Sequence, residues 1–349
     1  METRSTAPGW RCGSTGGAWD ACACWSTGST ATSTRPRGSR VRYPGRIRPE
    51  DAEPGHGWPD QATAPVDRGC LAPSSEEAGR TAGGPEGRAS RAERLRIRSG
   101  KLGTMREVLS DLVAEQQQLD QFLQRITVNK WNIRLPHDEW TIRDTISHLA
   151  HFQEYAHNVV AEDGAMLDDL DDYESIDDFL EIGIQRGRQM RPQDVIEWWR
   201  LGRAQVVDAL SRATPSDRVP WVYSDMSTKT FATLQLAEVW AHGLDIYEAM
   251  EEELEDTDRL RHVIWFAHKT LPWAFDLAGY EYMEQVRIEG IGPMYAKYVA
   301  GPEDTDQLIR GPAGEICRVA VGRLHPDDAE NVILKGEMAE IAFQEMRIF

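Results

Sequence analysis

The stretch Trp140-Thr141-Ile142-Arg143-Asp144-Thr145-Ile146-Ser147-His148-Leu149-Ala150-His151-Phe152 decides how this chain is read. Ile142, Ile146, Leu149, Phe152 and Ala156 return every three or four residues, the spacing of one apolar helix face. Thr141 stands ahead of the run as an N-cap. Asp144 lies three residues on, close to a capping box, and the helix continues to Glu162. At about 100° per residue, His148 falls about 40° from Phe152, on the flank of the apolar stripe, and so faces the interior or its rim. His151 and His157 are expected to turn toward solvent.

Outward from this helix the chain stays helical. Val108, Leu109, Leu112, Val113, Leu119, Phe122, Leu123 and Ile126 mark a preceding helix over 105–127. Periodic stretches follow at 176–190, at 192–213 behind Pro192, at 229–250, and at 257–278 behind Thr257. Past Glu281 the pattern changes. Gln285 to Glu289 alternates like a half-buried strand, Tyr295 to Val299 and Asn331 to Leu334 suggest two more, and short helices are expected at 313–323 and 337–346. The expected fold is an up-down four-helix bundle over 105–278 followed by a small α+β domain over 279–349.

Residues 1–104 are a different polymer. They hold 16 of the 29 glycines, 9 of the 18 prolines and four of the five cysteines, with 16 basic against 11 acidic residues. From Met105 on there are 23 basic and 46 acidic residues, so the net charge of −18 belongs to the second part. The leader has no sustained period of 2 or 3.6 and too little apolar surface to offset its ordering entropy. It reads as a disordered extension, either genuine or the product of a mis-chosen start ahead of Met105. Cys12, Cys22, Cys24 and Cys70 lack the C-x2-C spacing and paired histidines of a zinc site, and Cys317 reads as a core thiol. The acidic field disfavours nucleic acid and anionic membranes. Without a signal h-region or a long apolar run, the expected location is the cytoplasm.

Chemistry-bearing residues gather on two helices. In Glu238-Val239-Trp240-Ala241-His242-Gly243-Leu244-Asp245, Glu238 and His242 sit about 40° apart around the axis and Asp245 about 20° to the other side of Glu238, all on one face. Carboxylate oxygen and imidazole nitrogen suit zinc or a similar divalent ion. Such pairs also occur on solvated helix faces. His148, arriving from another helix, completes a set like those held inside helical-bundle metal proteins. Six tryptophans, Trp198, Trp199, Trp221, Trp240, Trp265 and Trp273, read as core more than as pocket lining. The run Asp168 to Asp172 lacks the order of a calcium loop.

These two runs, W-x7-H ending at His148 and E-x3-H-x2-D from Glu238, resemble the DinB-like metal-binding bundles. Within them the chain is most similar to the mycothiol-dependent maleylpyruvate isomerase family of actinobacteria, in particular its subgroup of metal-binding proteins. The resemblance covers residues 105–349. It implies a metal, usually zinc, held at His148, Glu238 and His242, with water or the thiol mycothiol completing the shell. It also implies an arginine of the C-terminal domain in activity, best matched by Arg323 in Ala320-Val321-Gly322-Arg323-Leu324. An arginine there would fork a substrate carboxylate or serve as a surface ion-pair partner. Asp245 would orient a ligand histidine, receive the thiol proton, or close a local ion pair.

Three ligands with an open position describe a catalytic metal site, and a metal-activated thiol could add to a conjugated double bond, allow rotation and leave again. Three functions follow. One is a metal- and mycothiol-dependent isomerase or transferase acting on a small molecule, another a metal-binding bundle without that activity, and the third a structural bundle without metal.

Overall fold

Several helix starts are set by local signals, and the computed structural model, which describes residues 97–98, 103–136, 139–162, 176–221 and 225–349, shows those signals engaged. Thr104 and Glu107 close a capping box that opens α1 (Met105–Leu123), with the Thr104 N–H donating to Glu107 Oε2 at 2.7 Å. Thr141 and Asp144 do the same for α2 (Ile142–Ala161), at 3.0 and 3.2 Å. Pro192 opens α4 (Pro192–Arg212), and Ser227 caps α5 (Thr228–Ala249) by accepting the Thr230 N–H.

Between α2 and α4, helix α3 (Ile176–Arg188) crosses α2 closely. A Cβ on Gly183 would overlap the His151 side chain, and one on Gly187 the Ser147 hydroxyl, so the two glycines set this approach. The Asp144 carboxylate that caps α2 also takes Arg188, at 2.9 and 3.2 Å. Helix α3 lies outside the bundle proper.

In the bundle α1 packs on α5 and α2 on α4, with α1–α4 and α2–α5 contacts closing the ring. Phe122 stacks on Tyr247 near the ends of α1 and α5. Glu107 acts electrostatically on Lys229 near their starts, so these two helices run parallel. Helix α2 runs against α5, which places Gln153 beside Gln235 and His148 beside His242. Helix α5 is buried around most of its circumference, so its polar face looks into protein and not into water. That is the fold's main contribution to the site.

Two short strands, β2 (Arg218–Val219) and β3 (Met226–Ser227), pair antiparallel ahead of α5. Helix α6 (Leu260–Ala278) touches α5 but also covers the C-terminal sheet, so it joins the two parts instead of belonging to the bundle alone. The sheet orders its strands β1 (Ile97–Arg98), β5 (Lys297–Ala300), β4 (Arg287–Ile291), β6 (Leu308–Pro312) and β7 (Ile333–Lys335). β4 runs antiparallel to β5 and parallel to β6, with Ile288 opposite Ala300 and Ile309. Helices α7 (Ala313–Ala320) and α8 (Glu337–Glu345) pack with α6 against it. Cys317 is buried, as its apolar surroundings suggest, and burial pushes its thiol well up.

Some expectations shift. Residues 295–299 hold the end of a turn before β5, because Met294 and Tyr295 take positive φ (53° and 58°) and β5 begins at Lys297. β6 was hidden in the sequence by Arg310-Gly311-Pro312, residues that usually interrupt strands. Ile97–Arg98, within the expected unstructured leader, pairs in parallel with Lys297 and Tyr298. The leader cysteines and Asp168 to Asp172 lie outside the described residues.

Candidate metal site

The periodicity of α5 brings Glu238, His242 and Asp245 onto one face, and that face meets α2 at His148. One donor atom from each of His148, Glu238 and His242 lies within 4.8 Å of the others, and all three residues are buried. The His242 Nε2 to Glu238 Oε2 distance is 3.6 Å. With metal–ligand bonds of about 2.0–2.1 Å, donors around a tetrahedral ion sit roughly 3.3 Å apart, so the set fits a small divalent cation after slight contraction. Two nitrogens and a carboxylate oxygen are the donor types zinc takes.

Electrostatics agree with this use. Burial pushes the His148 imidazole well below its ordinary value, assisted by His242, His151 and Arg323, so it is a neutral ring able to offer a lone pair. For His242 burial acts the same way, but Asp245 and Glu238 outweigh it and raise the value. The Nδ1 of His242 lies 3.4 Å from Asp245 Oδ2, which leaves Nε2 on the side of Glu238. This is the carboxylate–histidine arrangement that orients metal ligands.

Arg323 reaches this group from the segment after α7. Gly322 takes φ +69° after α7, a conformation that glycine adopts without strain, and the next side chain turns toward α5. Arg323 donates from Nε and Nη2 to the two oxygens of Asp245 at 3.0 and 2.8 Å, and from Nη1 to the Val321 carbonyl at 2.6 Å. Burial opposes ionisation of Asp245, yet Arg323 and then His242 hold its carboxyl well below the usual range. The fork anticipated for a substrate carboxylate is occupied by Asp245.

Aromatic rings wall the cluster. Trp140 lies 5.1 Å from the His148 ring and 6.3 Å from that of His242, and Phe152 lies 4.8 Å from His148. Trp140 is a neighbour of the cluster that served in the sequence only as a landmark; its place immediately before the Thr141 cap was the available signal. His151 corrects an expectation, being buried between α2 and α3 against Phe179 and Tyr155 instead of exposed. Its helix angle pointed away from α5, and α3 covers that side.

Residues 112–247 match the family model described as mycothiol maleylpyruvate isomerase N-terminal domain. Over those residues the chain is similar to that family's N-terminal domain. The chain is 25% identical over 217 residues to two Mycobacterium tuberculosis sequences, uncharacterized protein Rv0036c of strain H37Rv and uncharacterized protein MT0041 of strain CDC 1551. The match spans 62% of this chain and 84% of each of theirs. Crystal structures of the mycothiol-dependent maleylpyruvate isomerase and of a histidine-to-alanine mutant align at 17% identity, with TM-scores of 0.48 and 0.49. They cover 70% of this chain and 97% of theirs. Among the described residues no helix is long and apolar enough to cross a membrane.

Proposed function

We propose that the chain binds one divalent cation, zinc by preference, through His148, Glu238 and His242, and acts with mycothiol as an isomerase or transferase on a small molecule in the cytoplasm. The convergence of three buried donors from two helices carries the metal reading. The match of residues 112–247 to the mycothiol maleylpyruvate isomerase N-terminal domain supports the thiol. A cation with an open position supplies Lewis acidity and holds a thiol as thiolate near neutral pH.

The chain's own residues do the rest. Asp245 holds the Nδ1 side of His242 and so fixes the ring's direction. Arg323 keeps Asp245 ionised and in place. Trp140 and Phe152 restrict water around the two histidines, which strengthens every electrostatic contact there. The low proton affinity of Asp245 suits it to orienting His242 more than to receiving a thiol proton.

A second reading has one observation in its favour. With its guanidinium engaged by Asp245 and Val321, Arg323 is not open to fork a substrate carboxylate, which supports a metal-binding bundle whose chemistry differs from the isomerase's.

Elemental analysis and thermal shift test the proposal together. The purified protein is expected to carry one divalent ion per chain, and mycothiol, but not glutathione, is expected to raise its Tm. A metal-free protein that neither thiol stabilises would leave only the structural bundle. Metal retention without a mycothiol response would favour the second reading.

A further inference from the structure

We propose that Gln153, Gln235 and Trp221 form a ligand subsite next to the metal cluster, one that takes an uncharged amide or hydroxyl group of a small molecule. Gln153 and Gln235 are 2% and 1% exposed, and the Gln153 Nε2–H donates to Gln235 Oε1 at 2.7 Å across α2 and α5. That single bond leaves the Gln153 carbonyl and the Gln235 Nε2 without a hydrogen-bond partner among the described residues. The buried indole N–H of Trp221 has none either. Native interiors seldom leave polar groups open, so one acceptor and two donors left open together ask for an occupant.

Their placement says where it comes from. Gln235 precedes Glu238 by three residues on the ligand face of α5, and Gln153 follows Phe152, whose ring lies against His148. The Trp221 ring packs edge-on against Phe152 at 5.5 Å and Phe231 at 4.8 Å, and Phe231 stands one turn before Gln235. A Cβ on Gly202 of α4 would crowd the Gln153 side chain, so the small residue there leaves room for the amide. Gln235 thus lies along α5 on the side of Glu238 away from Asp245, and Trp221 is joined to this region through Phe152 and Phe231. Amide and indole carry no charge, so the matching ligand group is neutral; a carboxylate would gain no counter-charge from them. That this group belongs to the thiol or to its co-substrate rests on the function proposed above, whereas the presence of the subsite does not.

Two measurements on the full chain test it. Nitrogen-edited NMR reads the indole N–H signals while N-methylacetamide or acetate is added, with the Trp221 signal assigned by its loss in Trp221→Phe. N-methylacetamide is expected to move that signal saturably and acetate is not, and the movement is expected to disappear in Gln153→Met/Gln235→Met. Because the double variant removes unsatisfied groups and keeps side-chain length, its Tm is expected to equal or exceed that of the wild type. An unmoved Trp221 signal, an equal response to acetate, a response that survives the double variant, or a clear drop in its Tm would each overturn the subsite.

The second measurement uses the zinc-loaded protein and calorimetry. N-acetylcysteamine, a thiol with a neutral amide arm, is expected to bind about tenfold tighter than propanethiol, and the double variant to lose that preference while still binding propanethiol. Equal affinities would overturn the placement next to the metal. If neither thiol bound, the thiol reading would fall, and the metal-independent NMR result would still decide the subsite.

Discussion

Asp120 on α1 is gripped by Arg200 and Arg203 from α4, with Arg200 donating to its two oxygens at 2.5 to 3.2 Å. Glu238 on α5, equally removed from water, has two imidazoles for company, one of them held neutral by burial, and the neighbouring guanidinium of Arg323 faces Asp245. The first cluster carries its own counter-charge and needs nothing further. In the second, among the described residues, no guanidinium or ammonium pairs with Glu238, whose near partner is the His242 imidazole. A buried charge costs several kcal/mol unless paired, so the difference separates an ion-pair network that ties helices together from a set of ligands arranged for an ion supplied from outside.

Removing a ligand is the most direct way to break this comparison. His148→Ala and His242→Ala are each expected to reduce the bound divalent ion from one per chain to a trace by elemental analysis. Added zinc at about a hundred times Kd should stabilise the wild type by about 2.7 kcal/mol and either variant hardly at all. If zinc stabilised the variants equally, the cluster on α5 would be another internal network.

Asp120→Asn tests the opposite side. It leaves two guanidinium groups facing a neutral amide at a nearly buried site, and denaturant unfolding should show a loss of about 3 kcal/mol with metal content unchanged. A loss of metal in this variant would mean that the two clusters are coupled.

Arg323→Ala lies between the two. Without the fork, Asp245 keeps its contact with His242 but loses its own anchor, and metal affinity by chelator competition is expected to fall about 10- to 100-fold. Arg323→Lys keeps the charge without the paired N–H geometry and should recover only part of that.

How far the sequence carried these distinctions depends on which physical signal each element uses. The capping pair Thr141/Asp144 and the three- and four-residue spacing of α1, α2, α4 and α5 are local, and the structure repeats them within a few residues. Helix angle alone put Glu238, His242 and Asp245 on one face, and the same arithmetic marked His148 as inward. Whatever depended on tertiary company was less legible. His151 looked exposed because nothing local announces that Gly183 lets α3 lie over it. Whether Arg323 forks a substrate or closes an ion pair stayed open in the sequence because its partner is 78 residues away. The open amides of Gln153 and Gln235 stand out only once α2 and α5 are side by side.

The smallest expected effect concerns a third polar cluster, where α1 meets α6, and it shows that the internal kind of network has its own pH signature. His262, 1% exposed, contacts Asp111 through Nε2 at 2.7 Å, next to Arg261. Burial lowers its proton affinity, and the hydrogen bond to Asp111 offsets only part of that. Between the depressed folded value and the ordinary 6.5, the unfolded chain therefore binds more protons than the folded one. Stability from this residue is complete above pH 6.5 and is lost as pH falls through that window, at no more than about 1.4 kcal/mol per pH unit. Glu115, in the same interface beside Arg259, has its carboxyl raised by burial and acts with the opposite sign, its contribution fading as pH rises above the ordinary carboxylate range. Stability curves of the wild type and His262→Gln should therefore be subtracted. Their difference should slope only below pH 6.5 and should be the same with or without zinc. A slope that depended on zinc would tie the α1–α6 interface to the ligands on α5, and the separation drawn between self-balanced networks and the metal cluster would no longer hold.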